Sequence, residues 1–263
     1  MLKICRLCNK KKELRQSHAI PDSIFTVLFR RNSGKAILLT SDDREINYIN
    51  DSLDTEQLCD GCEKWLNQSY ESYSINLLRN TYGNTEKKND GVHFLEVDVD
   101  KFMKFILAIF WRAAVSTHEC YKGAVMDQEL FYKNGAEKLR KSLYENSEIP
   151  SSLFSVKVRR LRDSTGCWDL KSLKDLIVVP FPSPYGKDKK VSVNFAIEGF
   201  YFSVVMPGLS DKERRQDIVL YPKGKQFVAK YIDFLSINEM KELIASIDRK
   251  VETGKSRVSN LKS

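Results

Sequence analysis

Nowhere in its 263 residues does the chain carry an apolar run long enough to span a bilayer. The nearest approach, 102–115, is short and broken by Lys104 and Arg112. No apolar stretch precedes the first cysteine pair, since Met1-Leu2-Lys3-Ile4 leads straight into Cys5. No secretory leader is therefore read, no membrane partner is expected, and a reducing cytoplasmic compartment fits best. Internal repeats are missing, which excludes a solenoid or propeller. A phosphate-binding loop is missing too: Tyr221-Pro222-Lys223-Gly224-Lys225 lacks the glycine spacing and the Ser or Thr after lysine. Of the three histidines, His93 and His118 have no metal-ligand spacing to any cysteine and read as incidental. The hydrophobic content of 42%, with 11% aromatics, is that of a globular chain able to build a core. An excess of eight positive charges favours polyanionic partners, nucleic acid before an anionic membrane surface, although solubility alone also accounts for it.

Six cysteines remain, and four of them stand in two pairs, Cys5/Cys8 and Cys59/Cys62. Two thiolates three residues apart grip one metal from a tight turn, and two such turns complete a tetrahedral shell for structural Zn²⁺. In a reducing compartment this spacing reads as metal-binding rather than disulfide. A thioredoxin-like redox role needs one pair and leaves the second unexplained. Lys3, Arg6 and Lys10–Lys12 favour the thiolate form by their charge. The 50 residues between the pairs exceed what a compact zinc ribbon needs, so a subdomain must be inserted there. Cys120 and Cys167 read as ordinary thiols.

The expected fold class is α+β, with a zinc-stapled module over 1–80 and a mixed body of helices and antiparallel sheet over 92–255. Within the module, 13–20 reads as extended up to Pro21, and 22–31 as a short helix. Residues 36–39 and 45–49 read as a hairpin across Ser41-Asp42-Asp43, and the second cysteine turn as the opening of a helix with Leu66, Tyr70, Tyr73 and Leu77 on one face. The polar stretch 80–91 reads as a linker and 94–97 as a short strand. Asp98 or Asp100 is expected to cap a buried helix to about Tyr121, followed by an amphipathic helix over 127–144. Strands are expected over 153–161, 176–181, 191–197, 200–206 and 218–221, with a tight turn at Glu198-Gly199, and a last helix over 238–251. Arg112 needs a partner, because an unpaired buried charge is costly.

Between the cysteine pairs sits Ser17-His18-Ala19-Ile20-Pro21, and Leu58 precedes Cys59. With Cys5-x-x-Cys8, these blocks resemble the HNH, or ββα-metal, endonucleases in their treble-clef form, over residues 1–70. The order also resembles a group of bacterial zinc proteins sharing the Ser-His-x-Ile-Pro and Leu-Cys-x-x-Cys-Glu blocks. The resemblance implies that His18 is a general base activating water against a phosphodiester. It implies that Asp54, five residues before Cys59, and Glu63, after Cys62, stand where the family carries metal-site residues. Ser17 replaces the usual Asp or His, and carboxylates at 54 and 63 suit a hard ion such as Mg²⁺.

Two basic clusters complete the reading. Lys157, Arg159, Arg160 and Arg162 form one, and Lys212, Arg214 and Arg215 the other, with Lys223 and Lys225 close by; both are candidates for contact with nucleic-acid phosphates. A charged solvent face is the plainer reading of each. Tyr185 is read in a turn, where it stacks on a base or packs on the body. The expectation is a zinc-binding, nucleic-acid-binding protein with a metal-dependent phosphodiesterase site. The alternatives are a non-catalytic, zinc-stabilised interaction or sensor module, or a scaffold or toxin-like component acting on protein partners through the C-terminal sheet.

Overall fold

Short elements build the N-terminal third. The computed structural model describes residues 2–38, 45–124, 131, 135–186, 190–216 and 218–258. The first cysteine turn joins β1 (Lys3–Ile4) to β2 (Lys11–Lys12), which pair antiparallel. β3 (Leu14–His18) follows, and α1 (Asp22–Arg31) starts directly after Pro21, whose ring keeps Ile20 out of the helical region. α1 turns Ile24 and Phe25 inward. β4 (Ala36–Leu38) and β5 (Asn47–Ile49) form the expected hairpin, while Ser41, Asp42 and Asp43 lie outside the described residues. β6 (Asp54–Cys59) returns antiparallel to β3, pairing Leu14 with Cys59 and His18 with Asp54. α2 (Asp60–Leu66) begins at once, passes through a π-helical turn (Asn67–Glu71) and continues as α3 (Ser72–Leu78).

The polar stretch after α3 is not a linker. β7 (Thr85–Lys88) pairs with β8 (Gly91–Phe94) at the edge of the main sheet. Three of its four residues are exposed, and such an edge needs backbone pairing rather than apolar side chains. α4 (Val99–Val115) starts with the Asp98 carboxylate accepting the Lys101 N–H at 2.9 Å. It buries every residue except Asp100, Lys101 and Val115, as befits a helix apolar all round. It stops six residues short of Tyr121. Ser116 Oγ accepts the His118 N–H instead, a local bond that competes with the helix ladder, and Glu119–Tyr121 forms a separate 3-10 turn. α5 (Glu137–Glu145) is the described part of the next helix, and the first residues of the expected span, 127–130 and 132–134, lie outside the described residues.

The body is a seven-stranded sheet. β9 (Ser155–Arg162) is followed by α6 (Leu170–Asp175), β10 (Val178–Tyr185), β11 (Lys190–Ile197), β12 (Phe200–Met206), α7 (Asp211–Gln216), β13 (Phe227–Asp233) and α8 (Asn238–Glu252). The strand order is β10-β11-β12-β9-β13-β8-β7, antiparallel throughout except for β9 beside β13. Glu198 and Gly199 both have positive φ, +52° and +75°, the conformation that a two-residue hairpin turn requires. Two expectations change. Residues 218–221 are not a strand; the Leu220 N–H donates to the Val156 carbonyl, and β13 takes the sheet position instead. β10 runs on through Pro182 and Pro184 to Tyr185, which prolines tolerate because β10 is an edge strand.

α4 packs on one sheet face, where Phe102 stacks on Phe227 at 5.2 Å, Phe227 on Phe94 at 4.4 Å, and Phe202 on Phe195 at 4.9 Å. Alternation sends Leu161 and Tyr201 to the opposite face, against Phe234, Ile237 and Met240 around the start of α8. Each large side chain so buried contributes about 1.5–3 kcal/mol. One contiguous core extends from Cys5 and Leu7 through α4 to Ala229. Among the described residues, no helix is long and apolar enough to cross a membrane.

Candidate metal centre and adjoining histidine cleft

The β1–β2 turn and the start of α2 bring the four cysteines together. Cys5 N–H donates to the Lys10 carbonyl at 3.0 Å, and Asn9, with φ +57°, donates to the Cys5 carbonyl at 2.9 Å, closing the first turn. Cys59 caps α2, and Cys62 lies in the helix's first turn. The four sulfurs lie within 4.8 Å of one another, with Cys8 Sγ 4.0 Å from Cys59 Sγ. A tetrahedral ion with Zn–S bonds of about 2.3 Å needs sulfurs about 3.8 Å apart, so the cluster fits zinc. Cys59 N–H also donates to Cys5 Sγ at 3.3 Å, as backbone amides do to metal-bound thiolates. Three of the cysteines are buried and Cys8 is half-buried. A hydrogen bond from Cys62 pulls the Cys5 thiol down to about 4, and the same bond, together with burial, pushes Cys62 up. Cys8 is raised by burial. Sulfurs competing for protons at this range are a site from which a divalent ion displaces them. Among the described residues, this is the only group of three or more ligating side chains gathered so closely.

His18 stands at the far end of the β3–β6 pair from Cys59, opposite Asp54. Its Nε2 lies 2.8 Å from Ser52 Oγ, 3.5 Å from the Asp54 carboxylate and 3.8 Å from that of Asp22. The imidazole faces a cleft of about 370 Å³ whose walls include Asp22 from α1, Glu63 from α2, Gln68 and Glu71 from the π turn, and Arg112 from α4.

Arg112 has the partners its burial demands. At 2% exposure it donates to Glu63 Oε2 through Nη2 and to Glu71 Oε1 through Nη1, each at 2.5 Å. Burial opposes its charge, but the two carboxylates outweigh burial and hold its pKa above the ordinary value. Burial also raises the Glu71 carboxyl, against the pull of Arg112. With both acids ionised, the triad carries one excess negative charge. Glu63 Oε1 and Arg112 Nε are buried and find no hydrogen-bond partner among the described residues, and such orphans in a cleft wall ask for an explanation.

Of the three acid–base residues singled out from sequence, His18 and Asp54 are neighbours. Glu63 lines the same cleft as His18 but is held by Arg112. The three do not gather into a ligand set. Ser52, Asp22 and Glu71 were not singled out. Glu71 gave no sequence signal: on a regular helix it stands about 80° round from Glu63, and nothing in the sequence marks the π turn that brings the two into line.

The basic clusters are largely engaged within the protein. Lys157 Nζ stands 5.0 Å over the Tyr185 ring, and Arg159 donates to the Val158 and Ile218 carbonyls. Arg160 is 5% exposed, donates to the Glu198 carbonyl at 2.9 Å and covers the Phe200 ring at 4.5 Å. Arg162 lies over Tyr231 at 5.7 Å. Arg214 donates to the Leu209 and Ser151 carbonyls, while Lys212 and Arg215 are exposed on α7.

No protein-family model, curated protein or solved structure matches the chain.

Proposed function

We propose that the chain is a zinc-stapled, treble-clef protein of HNH-like type that binds nucleic acid and hydrolyses phosphodiester bonds at the His18 cleft. The supporting observation is the β3–β6 pair. One end is tied by four cysteines and runs into a helix at Cys59; the other end holds an imidazole against Ser52 and Asp54 at the mouth of a cleft. In this reading the neutral His18 ring takes a proton from water as its oxygen attacks phosphorus and the bond to the leaving oxygen breaks. Ser52 and Asp54 orient the ring. The Mg²⁺ that the resemblance implies does not fit the side chains, because Arg112 engages Glu63 and His18, Asp54 and Glu63 form no ligand set. No step is routed through that ion.

The Glu63–Arg112–Glu71 triad, built on the buried Arg112, favours a second reading, since it uses Glu63 as a tie between helices. Here the module is a non-catalytic, zinc-held interaction surface for a protein partner. Metal analysis combined with a cleavage assay on single- and double-stranded DNA and RNA separates the two. Hydrolysis by zinc-loaded protein that falls 10²–10⁴-fold in His18→Ala, about the share of a general base, supports the first reading. Zinc-loaded wild type without cleavage leaves the second.

A further inference from the structure

The N-terminal 15 described residues concentrate the chain's positive charge. Residues 2–16 hold six cations against Glu13 alone, while the whole chain has an excess of eight. Neighbouring acids are already engaged: Glu56 with Lys3, Asp60 with Arg15 and Lys64, and Glu137 with Arg140. Arg6, Lys10, Lys11 and Lys12 are exposed, and among the described residues none of them has an ion pair. A zinc centre with four thiolates is itself anionic, yet these cations outnumber its charge. This contrasts with β9, where Lys157, Arg160 and Arg162 lie against aromatic rings or carbonyls of the body.

Position adds to the argument. β2 presents both its residues to solvent, and β3 continues from it to His18. Six residues of extended chain, at about 3.3 Å each, put Lys12 at most about 20 Å from His18. A nucleic-acid backbone gripped at the cysteine turn therefore reaches the cleft within a few nucleotides.

We propose that Arg6, Lys10, Lys11 and Lys12 form the surface that holds the nucleic-acid phosphate backbone beside the zinc centre. This rests on the nucleic-acid part of the function proposed above, not on hydrolysis. Four phosphate contacts give a slope of log K against log salt of about −3.6 on duplex DNA. Replacing three lysines leaves a slope of about −0.9, and at 0.1 M salt affinity falls on the order of 10²–10³-fold.

The test titrates the full zinc-loaded protein with a fluorescein-labelled DNA duplex from 50 to 300 mM salt. Lys10→Gln/Lys11→Gln/Lys12→Gln is compared with the matching lysine-to-arginine triple, with Lys212→Gln/Arg215→Gln and with His18→Ala. Zinc content and a thermal melt show that each variant keeps its fold. The expected result is loss of slope and affinity in the glutamine triple only. An unchanged slope in that triple, or loss in Lys212→Gln/Arg215→Gln instead, overturns the proposal. So does lysine-dependent binding to phosphatidylserine vesicles without binding to DNA, the outcome that the exposed Leu2 and Ile4 beside the strip would favour. Wild type that binds with the steep slope but does not cleave removes the hydrolytic reading and leaves this one intact. His18→Ala that keeps the slope while losing cleavage supports both.

Discussion

Between Lys3 and Leu66 the strands are two to six residues long and meet only in pairs, whereas the body joins strands of up to eight residues in one seven-stranded sheet. The first region buries mostly single aliphatic side chains, such as Leu7, Ile20, Leu58 and Leu66, beside the sulfur of Cys5. The second stacks Phe94, Phe102, Phe195, Phe202 and Phe227 against one another. A small unit cannot supply enough apolar surface to offset chain entropy and needs another source of stability; the sheet region can. The comparison teaches that the cysteine region is gathered around four sulfurs that could hold an ion and against the helix it leans on, while the sheet takes its shape from close apolar packing around α4.

Stripping the metal should separate the regions most strongly. Structural zinc contributes on the order of 10 kcal/mol to small domains. With a chelator, or in Cys59→Ser, limited proteolysis followed by mass spectrometry should find new cuts within residues 2–66, with residues 155–258 still protected. Simultaneous loss of both regions would break the comparison.

Next in size is the tie between them. Arg112→Met leaves the buried Glu71 carboxylate and the half-buried Glu63 carboxylate without their cation and should cost about 3–5 kcal/mol in urea unfolding. Phe202→Ala, a pure packing loss at a fully buried site, should cost a similar 3–5 kcal/mol or so. Zinc retention distinguishes them: Arg112→Met should weaken it, since Glu63 adjoins Cys62, and Phe202→Ala should not. Equal retention would remove Arg112 as the link. Smaller again is Asp98→Ala, which removes the side-chain cap of α4 and should cost about 1 kcal/mol by the same measurement. A null effect there would show that packing alone fixes the start of α4.

Strong local rules made parts of this architecture readable from sequence. Four cysteines at metal spacing, Pro21 before a helix and Glu198-Gly199 between strands each dictate one backbone outcome, and Asp98 or Asp100 before an apolar run left a choice of two caps, of which the structure uses Asp98. Arg112 inside an apolar helix announced that a partner must face it. What stayed hidden depends on tertiary context. Nothing apolar marks β7, because an edge strand is held by its neighbour's backbone. The 218–221 segment and β13 have similar content, and only the neighbouring strands decide which one joins the sheet. Which acid meets Arg112 depends on helix phase, and that phase is altered within the helix itself.

That alteration has a consequence for insertions and deletions. The π turn at 67–71 accommodates one residue more than a regular helix. Eight positions from Glu63 to Glu71 therefore advance the helix about as seven would, close to two full turns, and both carboxylates meet the same guanidinium. Deleting Gln68 alone should let the segment relax to ordinary α-helix with both ion pairs intact, taking away only a side chain from the cleft wall. A deletion elsewhere in α2 carries no such compensation and would swing everything beyond it by about 100°. Tolerance of that one gap, against intolerance of its neighbours, would mark the extra residue as belonging to the cleft rather than to the scaffold.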